Sequence, residues 1–168
     1  FAIMNSDSYN LGDSLAVGLD DGTLMRLTLE TCRTLADFES FLDSTNQTGR
    51  QDCWNFGCLD STGAAALYEC ANRSYVKYDA LEESGIVLRA NFSMSGGSNW
   101  TGEERFRRVS ALTADRARNE SIDVQFILER LARDLGNLWD DPYPLPYQRS
   151  QLSGPPGYIY NLGGTVSN

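Results

Sequence analysis

Residues 53–78 read CWNFGCLDSTGAAALYECANRSYVKY. Three short runs, 53–59, 64–70 and 75–78, are rich in aromatic, β-branched and small apolar residues. Thr62-Gly63 and Asn72-Arg73 separate them, and both pairs favour turns. Short apolar runs bounded by turn residues predict the strands of an antiparallel meander. Residues 85–91 are expected to add a fourth strand, residues 1–9 an opening strand, and Tyr158-Ile159-Tyr160 a late one.

Helices are expected between these runs. Leu35, Phe38, Phe41 and Leu42 recur at helical spacing, with Thr34 placed as an N-cap and residues 46–49 as the stop. Residues 23–31 do not decide between helical and strand periods. Residues 101–118 predict a helix whose arginines between Arg105 and Arg118 form a solvated face. Residues 121–135 predict another, with Ile122, Val124, Phe126, Ile127, Leu128, Leu131 and Leu135 as a core-facing stripe and Gly136-Asn137 as its end. Strand, helix, meander and helices in that order fit an α+β layered domain over residues 1–139. All five prolines fall within 140–168, which is expected to be an extended Pro/Gly-rich arm.

Composition narrows the function classes. The net charge of −9 argues against binding nucleic acid through phosphates and against anionic membrane surfaces. No apolar run reaches the ~20 residues that span a bilayer. The chain has no His, which removes Ser-His-Asp and Cys-His catalysis and His-bearing zinc sites. Its four cysteines, Cys32, Cys53, Cys58 and Cys70, lack paired C-x-x-C spacing, so no metal site is expected. A Cys53–Cys58 disulfide is expected, closed by a turn at Asn55-Phe56-Gly57, and it is impossible if the segment runs straight. N-x-S/T sequons stand at Asn46, Asn72, Asn91, Asn99 and Asn119, with Asn99 and Asn119 expected to be the most accessible. Together with the even cysteine count, they favour an extracellular, secreted glycoprotein.

Asn5 and Asn91 each close an apolar run, FAIMN at the start and GIVLRAN at 85–91. Two strand-end amides brought together can stabilise one oxyanion, although either can equally begin a turn. Three blocks add context: FAIMNSDSYNL (1–11), GAAALYECANRSYVKYDA (63–80) and GIVLRANFSMSGG (85–97). In this order they resemble the penicillin acylase, bile salt hydrolase and acyl-CoA:aminopenicillanate acyltransferase branch of the N-terminal-nucleophile (Ntn) hydrolases. That branch carries one catalytic Asn in a strand of the form G-L-A-I-x-x-x-N and a second at a V-x-T-N strand end. Asn5 and Asn91 match these positions, with Ala90 where the family usually has Thr. DPYPLPY at 141–147 is similar to secreted members of the same branch.

The resemblance implies part of a four-layer αββα sandwich and attack by an N-terminal thiolate on a linear amide. The substrate class it implies is an N-acyl amide or a peptide-like small molecule, with no metal or organic cofactor. It gives Asn5 and Asn91 the oxyanion or the free α-amine, and makes Asp7 and Tyr9 substrate-contact candidates by position. The family's nucleophile is a processed N-terminal Cys, whereas residue 1 here is Phe, so the chain is expected to be an internal segment that is inactive alone. A second reading is a non-catalytic extracellular glycoprotein, a structural or fibre subunit, whose unpaired sheet edges recruit another chain or a missing segment. In that reading the proline-rich arm, with its Tyr158-Ile159-Tyr160 strand, is the part donated. A third is a ligand-binding module built on Trp54, Trp100 and Trp139. Asn91 cannot serve two of these at once, because a glycan replaces one of the amide hydrogens an oxyanion donor needs.

Overall fold

The computed structural model describes residues 1–12, 16–119, 122–134, 158–161 and 164–167. It divides into two compact units, Phe1–Trp100 and Thr101–Asn168. The protein is α+β, as the order of its sequence patterns predicts.

In the first unit, β1 (Ala2–Asp7), β2 (Trp54–Leu59), β3 (Ala65–Cys70) and β4 (Tyr75–Asp79) form an antiparallel sheet in sequence order. The meander expected from residues 53–78 is therefore present. Asp60 builds its first turn. One carboxylate oxygen accepts from Thr62 N and Oγ1 at 2.8 and 2.6 Å, and the other accepts from Leu35 N at 3.2 Å. The same side chain thus closes the β2–β3 turn and holds the start of a helix. These donors lower its pKa, the Thr62 hydroxyl foremost.

Two helices occupy the span between β1 and β2. The undecided residues 23–31 fall in α1 (Asp21–Thr31), whose first turn is capped by Asp20 accepting from Thr23 N. The tertiary contacts of buried Leu24 and Thr28 settle what local periodicity left open. α2 (Leu35–Thr48) begins at Thr34 as expected, and a reciprocal capping box joins Thr34 to Asp37. It ends at Gly49, whose φ of 95° disfavours any side chain and whose added Cβ would meet Val17 O at 2.5 Å.

Alternation along the strands gives the sheet two different faces. Register places Ile3, Asn5 and Asp7 beside Cys58, Phe56 and Trp54, and these beside Ala66, Tyr68 and Cys70. This face buries the core against Leu24, Leu35, Phe38 and Leu42 of the helices. Phe38 meets Phe56 and Tyr68 edge-on, at centroid separations of 6.0 and 5.0 Å. Such aromatic pairs contribute about 0.5–1.5 kcal/mol each beyond the area they bury. The opposite face carries Ala2, Met4, Ser6, Asn55, Gly57, Leu59, Leu67 and Glu69.

Residues 85–91 do not form the expected fourth strand. Only an isolated bridge joins Ala90 to Phe92, and the fourth strand of the sheet is β4. Of this run only Ala90 is buried, and the carbonyls of Ala90 and Phe92 accept from Asn55 Nδ2 at 3.1 and 2.9 Å. The segment is therefore a strap laid across the second face of the sheet, pinned by side-chain amides rather than by a ladder.

The Cys53–Cys58 disulfide is also overturned. Trp54–Leu59 runs extended, which sets the two residues ~16 Å apart at ~3.3 Å per residue, and all four cysteines are free and buried.

In the second unit, α3 (Glu103–Asn119) matches the expected helix. Its arginines are only in part a solvated face. Arg107 pairs with Glu103 at the surface, but Arg108 makes a bidentate contact with Asp134 at 2.8 and 3.0 Å. The expected helix over 121–135 is instead α4 (Val124–Phe126), capped by Asp123, running into a π-helical turn over Ile127–Leu131. The wider turn breaks the stripe's register. Among its described residues only Phe126 is buried, while Val124, Ile127 and Leu128 are exposed. The late strand is present as β5 (Tyr158–Asn161), paired in a hairpin with β6 (Gly164–Ser167). Leu135, Gly136-Asn137, Trp139, the proline-rich part of the arm and the expected boundary at 139/140 lie outside the residues described. Among those described, no helix is long and apolar enough to cross a membrane.

Candidate functional site

Asn5 sits inside β1, an edge strand, on the helix-covered face. Its Nδ2 donates to Asp21 Oδ2 at 2.8 Å. The other oxygen of Asp21 accepts from Gly22 N at 2.8 Å, so the carboxylate is itself fixed at the first residue of α1. Asp21 thereby decides which way the Asn5 amide stands. One N–H is committed and the second has no hydrogen-bond partner among the described residues. Asp7 follows two residues later on the same face, and its Oδ2 accepts from the exposed Tyr9 hydroxyl at 3.2 Å.

Asn91 is placed differently. It belongs to the strap, on the far side of the sheet from Asn5's partner Asp21, and its Nδ2 donates to the backbone carbonyl of Asp7 at 3.3 Å. Its own carbonyl accepts from Tyr9 N at 3.3 Å. The two amides therefore do not lie on adjacent strands, and their donor bonds go to different groups, the Asp21 carboxylate and the Asp7 carbonyl. The structure brings Asn5, Asp7, Tyr9 and Asp21 to one end of β1 and leaves Asn91 as a brace behind that end.

All four thiols are buried. Burial raises the pKa values of Cys32 and Cys58, and pushes Cys70 up to about 12 even though Arg50 lowers it. A thiol held that high is not a thiolate at neutral pH. Among the described residues no group of His, Cys, Asp or Glu is arranged to hold a metal ion.

The sequons divide by what their amides already do. Asn72 Nδ2 donates to Arg50 O at 3.0 Å and to Gln51 O at 3.4 Å, and Asn91 Nδ2 donates to Asp7 O. Asn46 uses only its Oδ1, which accepts from Arg50 Nη2 at 2.7 Å. Asn99 is exposed, and the side chain of Asn119 lies outside the description.

Sequence reasoning passed over four buried polar residues that organise the region. Asn55 and Glu69 sit inside apolar strands, Ser93 within the strap and Arg50 after α2. Ser93 Oγ donates to Asn55 Oδ1 at 2.6 Å and pairs with Ser8 Oγ at 2.7 Å. Asn10 completes the knot, accepting from Ser93 N at 2.8 Å and donating to Ser93 O and Gly97 O at 2.9 and 2.7 Å. Gly96 has no room for a side chain there, because an added Cβ would lie 2.5 Å from Asn10 O. The available signal was a polar residue interrupting an apolar run, as in WNFGC and ALYEC.

Comparison of the chain with protein-family models, curated proteins and solved structures finds no match.

Proposed function

We propose that this chain forms one sheet-and-helix layer of an Ntn-type amidohydrolase or acyltransferase acting on linear C–N amide bonds. The observation that carries the reading is the Asn5–Asp21 contact. It holds a strand amide in a fixed orientation with one N–H uncommitted, which is what a preorganised oxyanion donor requires. The sheet agrees with a half of an αββα sandwich. Helices cover one face, while on the other the end beyond the strap is apolar at Ala2, Met4, Gly57 and Leu59, with Met4 71% and Leu59 50% exposed. In this reading Asn5 is the donor, and Asp7 and Tyr9 line the approach of the acyl or amine part of the substrate. Asn91 positions the end of β1 instead of donating to the reacting oxygen. In this reading the attacking thiolate is none of the four cysteines here, which are all buried, with the Cys58 and Cys70 thiols held protonated by that burial. The 168-residue chain is expected to release no amine from a panel of N-acyl anilides. Turnover by that chain alone would overturn this division of roles.

The glycoprotein reading is favoured by one observation. Asn46 is held by its oxygen, which leaves Nδ2 without a hydrogen bond among the described residues, while Thr48 at the +2 position is exposed. A glycan added to Asn46 Nδ2 keeps the Arg50 contact, whereas one on Asn72 replaces one of the amide hydrogens that reach Arg50 O and Gln51 O. Intact mass before and after enzymatic deglycosylation, with site mapping, is expected to show glycan on Asn46 or Asn99 and none on Asn72. Occupancy of Asn72, or bare asparagine at every sequon, would contradict it.

A further inference from the structure

The strap over residues 86–97 is held down by two different anchors. One is the neutral knot of Asn55, Ser93, Ser8 and Asn10. The other is Glu69, in the middle of β3, 1% exposed and flanked in the sheet by Asn55 and Val76. Its carboxylate accepts five hydrogen bonds. Arg89 Nε and Met94 N, the latter at 2.7 Å, reach Oε1. Ser95 N at 2.8 Å, the Ser95 hydroxyl and the Tyr78 hydroxyl at 3.3 Å reach Oε2. Four of these donors belong to the strap. Arg89 also stacks on the Tyr78 ring, 4.3 Å from its centroid.

We propose that Glu69 is an acid-sensitive latch, whose ionised carboxylate folds Arg89, Met94 and Ser95 onto the sheet and whose protonation releases them. The chemistry lies in the donor count. An ionised carboxylate is an acceptor only, and it receives three N–H and two O–H donors. A proton on Oε1 points at N–H groups that cannot accept it, and one on Oε2 finds an acceptor only if the Ser95 or Tyr78 hydroxyl turns round and gives up the bond it donates. Protonation also removes the charge facing Arg89, leaving a guanidinium with 8% side-chain exposure opposite a neutral group. The other groups around Glu69 give no relief: β4 presents Tyr78 and β2 presents neutral Asn55. Cys70, the next residue, lies on the other face with its thiol protonated.

The direction of the pH effect follows from the same contacts. Burial alone raises the carboxyl pKa, but the donors from Ser95, Arg89 and Met94 outweigh it and hold the group below its usual range. A carboxylate with a depressed folded pKa contributes stability above its unfolded value, about 4.3, and that contribution is lost as pH falls through the folded value. The strap is thus closed at neutral pH and opens only in acid. The neutral knot does not titrate, so Phe92 and Ser93 stay attached after the Glu69 contacts are gone. This inference rests on the second face of the sheet and is independent of the hydrolase reading.

Nuclear magnetic resonance on the full chain tests it. The Glu69 carboxyl carbon and the amide protons of Met94 and Ser95 are expected to titrate with one shared midpoint below about pH 4.3. Hydrogen-exchange protection of those amides is expected to fall roughly tenfold between about pH 6 and pH 3.5, while Phe56 and Tyr68 in the sheet hold theirs. Glu69→Gln is expected to show the lowered Met94 and Ser95 protection at neutral pH, with no further fall in acid. Separate midpoints for the carboxyl and the amides in the wild-type chain would overturn the latch. So would loss of strap and sheet protection in a single step, and both readouts stand even if the variant does not fold.

Discussion

Replacing Arg50 by Met is expected to lower the folding free energy by about 3–5 kcal/mol, a large share of the 5–15 typical of a domain. Arg50 is fully buried, and no carboxylate lies among its hydrogen-bond partners. Its guanidinium makes five bonds instead. Nε donates to Ala71 O at 2.7 Å, Nη1 to Leu42 O at 3.3 Å and Thr45 Oγ1 at 2.6 Å, and Nη2 to Asn46 Oδ1 at 2.7 Å and Ser74 O at 2.8 Å. The fork therefore ties the last turns of α2 to the β3–β4 turn.

Burial opposes the charge and lowers the Arg50 pKa, so part of the hydrogen-bond gain offsets desolvation. Truncation removes the gain and leaves the carbonyls of Leu42, Ala71 and Ser74 without this donor, at about 1–3 kcal/mol for each that stays dry. Methionine retains most of the stem volume, so the loss reports the bonds and not a cavity. Urea denaturation measures it. A loss under about 1 kcal/mol would mean that water or a rearranged turn takes over the carbonyls.

Much of the fold was legible because local signals and tertiary contacts agree. Residues 53–78 carry turn chemistry and strand residues in the right order; the Asp60 side chain closes the first turn, and Asn72 ties the second to Arg50 O and Gln51 O. Thr34 and Asp37 announce the start of α2 by their own hydrogen bonds. Illegible were the places where burial, not pattern, decides. GIVLRAN has strand composition, yet β4 already pairs with β3 and the segment is drawn across the sheet by Glu69 and Asn55, two residues remote in sequence. The stripe over 121–135 has helical spacing, but Val124, Ile127 and Leu128 are all exposed, and the segment turns π-helical at Ile127.

The candidate site was half legible. Asn5 could be singled out as an amide ending an apolar run, and Asp7 and Tyr9 as its neighbours. Asp21 could not, because its meaning depends on α1 returning its first residue to β1. Asn91 was chosen on the same grounds as Asn5, but the strand expected to carry it is absent, because a strand end and a strap look alike in sequence.

Asn5→Ala carries the second large expected effect. Removing one oriented oxyanion donor costs about 10²–10³ in kcat, because the donor acts on charge that develops only in the transition state. KM is expected to change little, since the ground-state carbonyl makes weaker use of the same N–H. Asn5 is partly buried at a sheet edge and makes one side-chain bond, to Asp21, so the variant is expected to fold.

The measurement that decides the matter is amine release from N-acyl anilides by the protein purified from its natural host, wild type against Asn5→Ala. Release by the wild type, with kcat reduced by about 10²–10³ and KM nearly unchanged in the variant, is the predicted result. No release from any N-acyl anilide, or release that Asn5→Ala leaves undiminished, would contradict it.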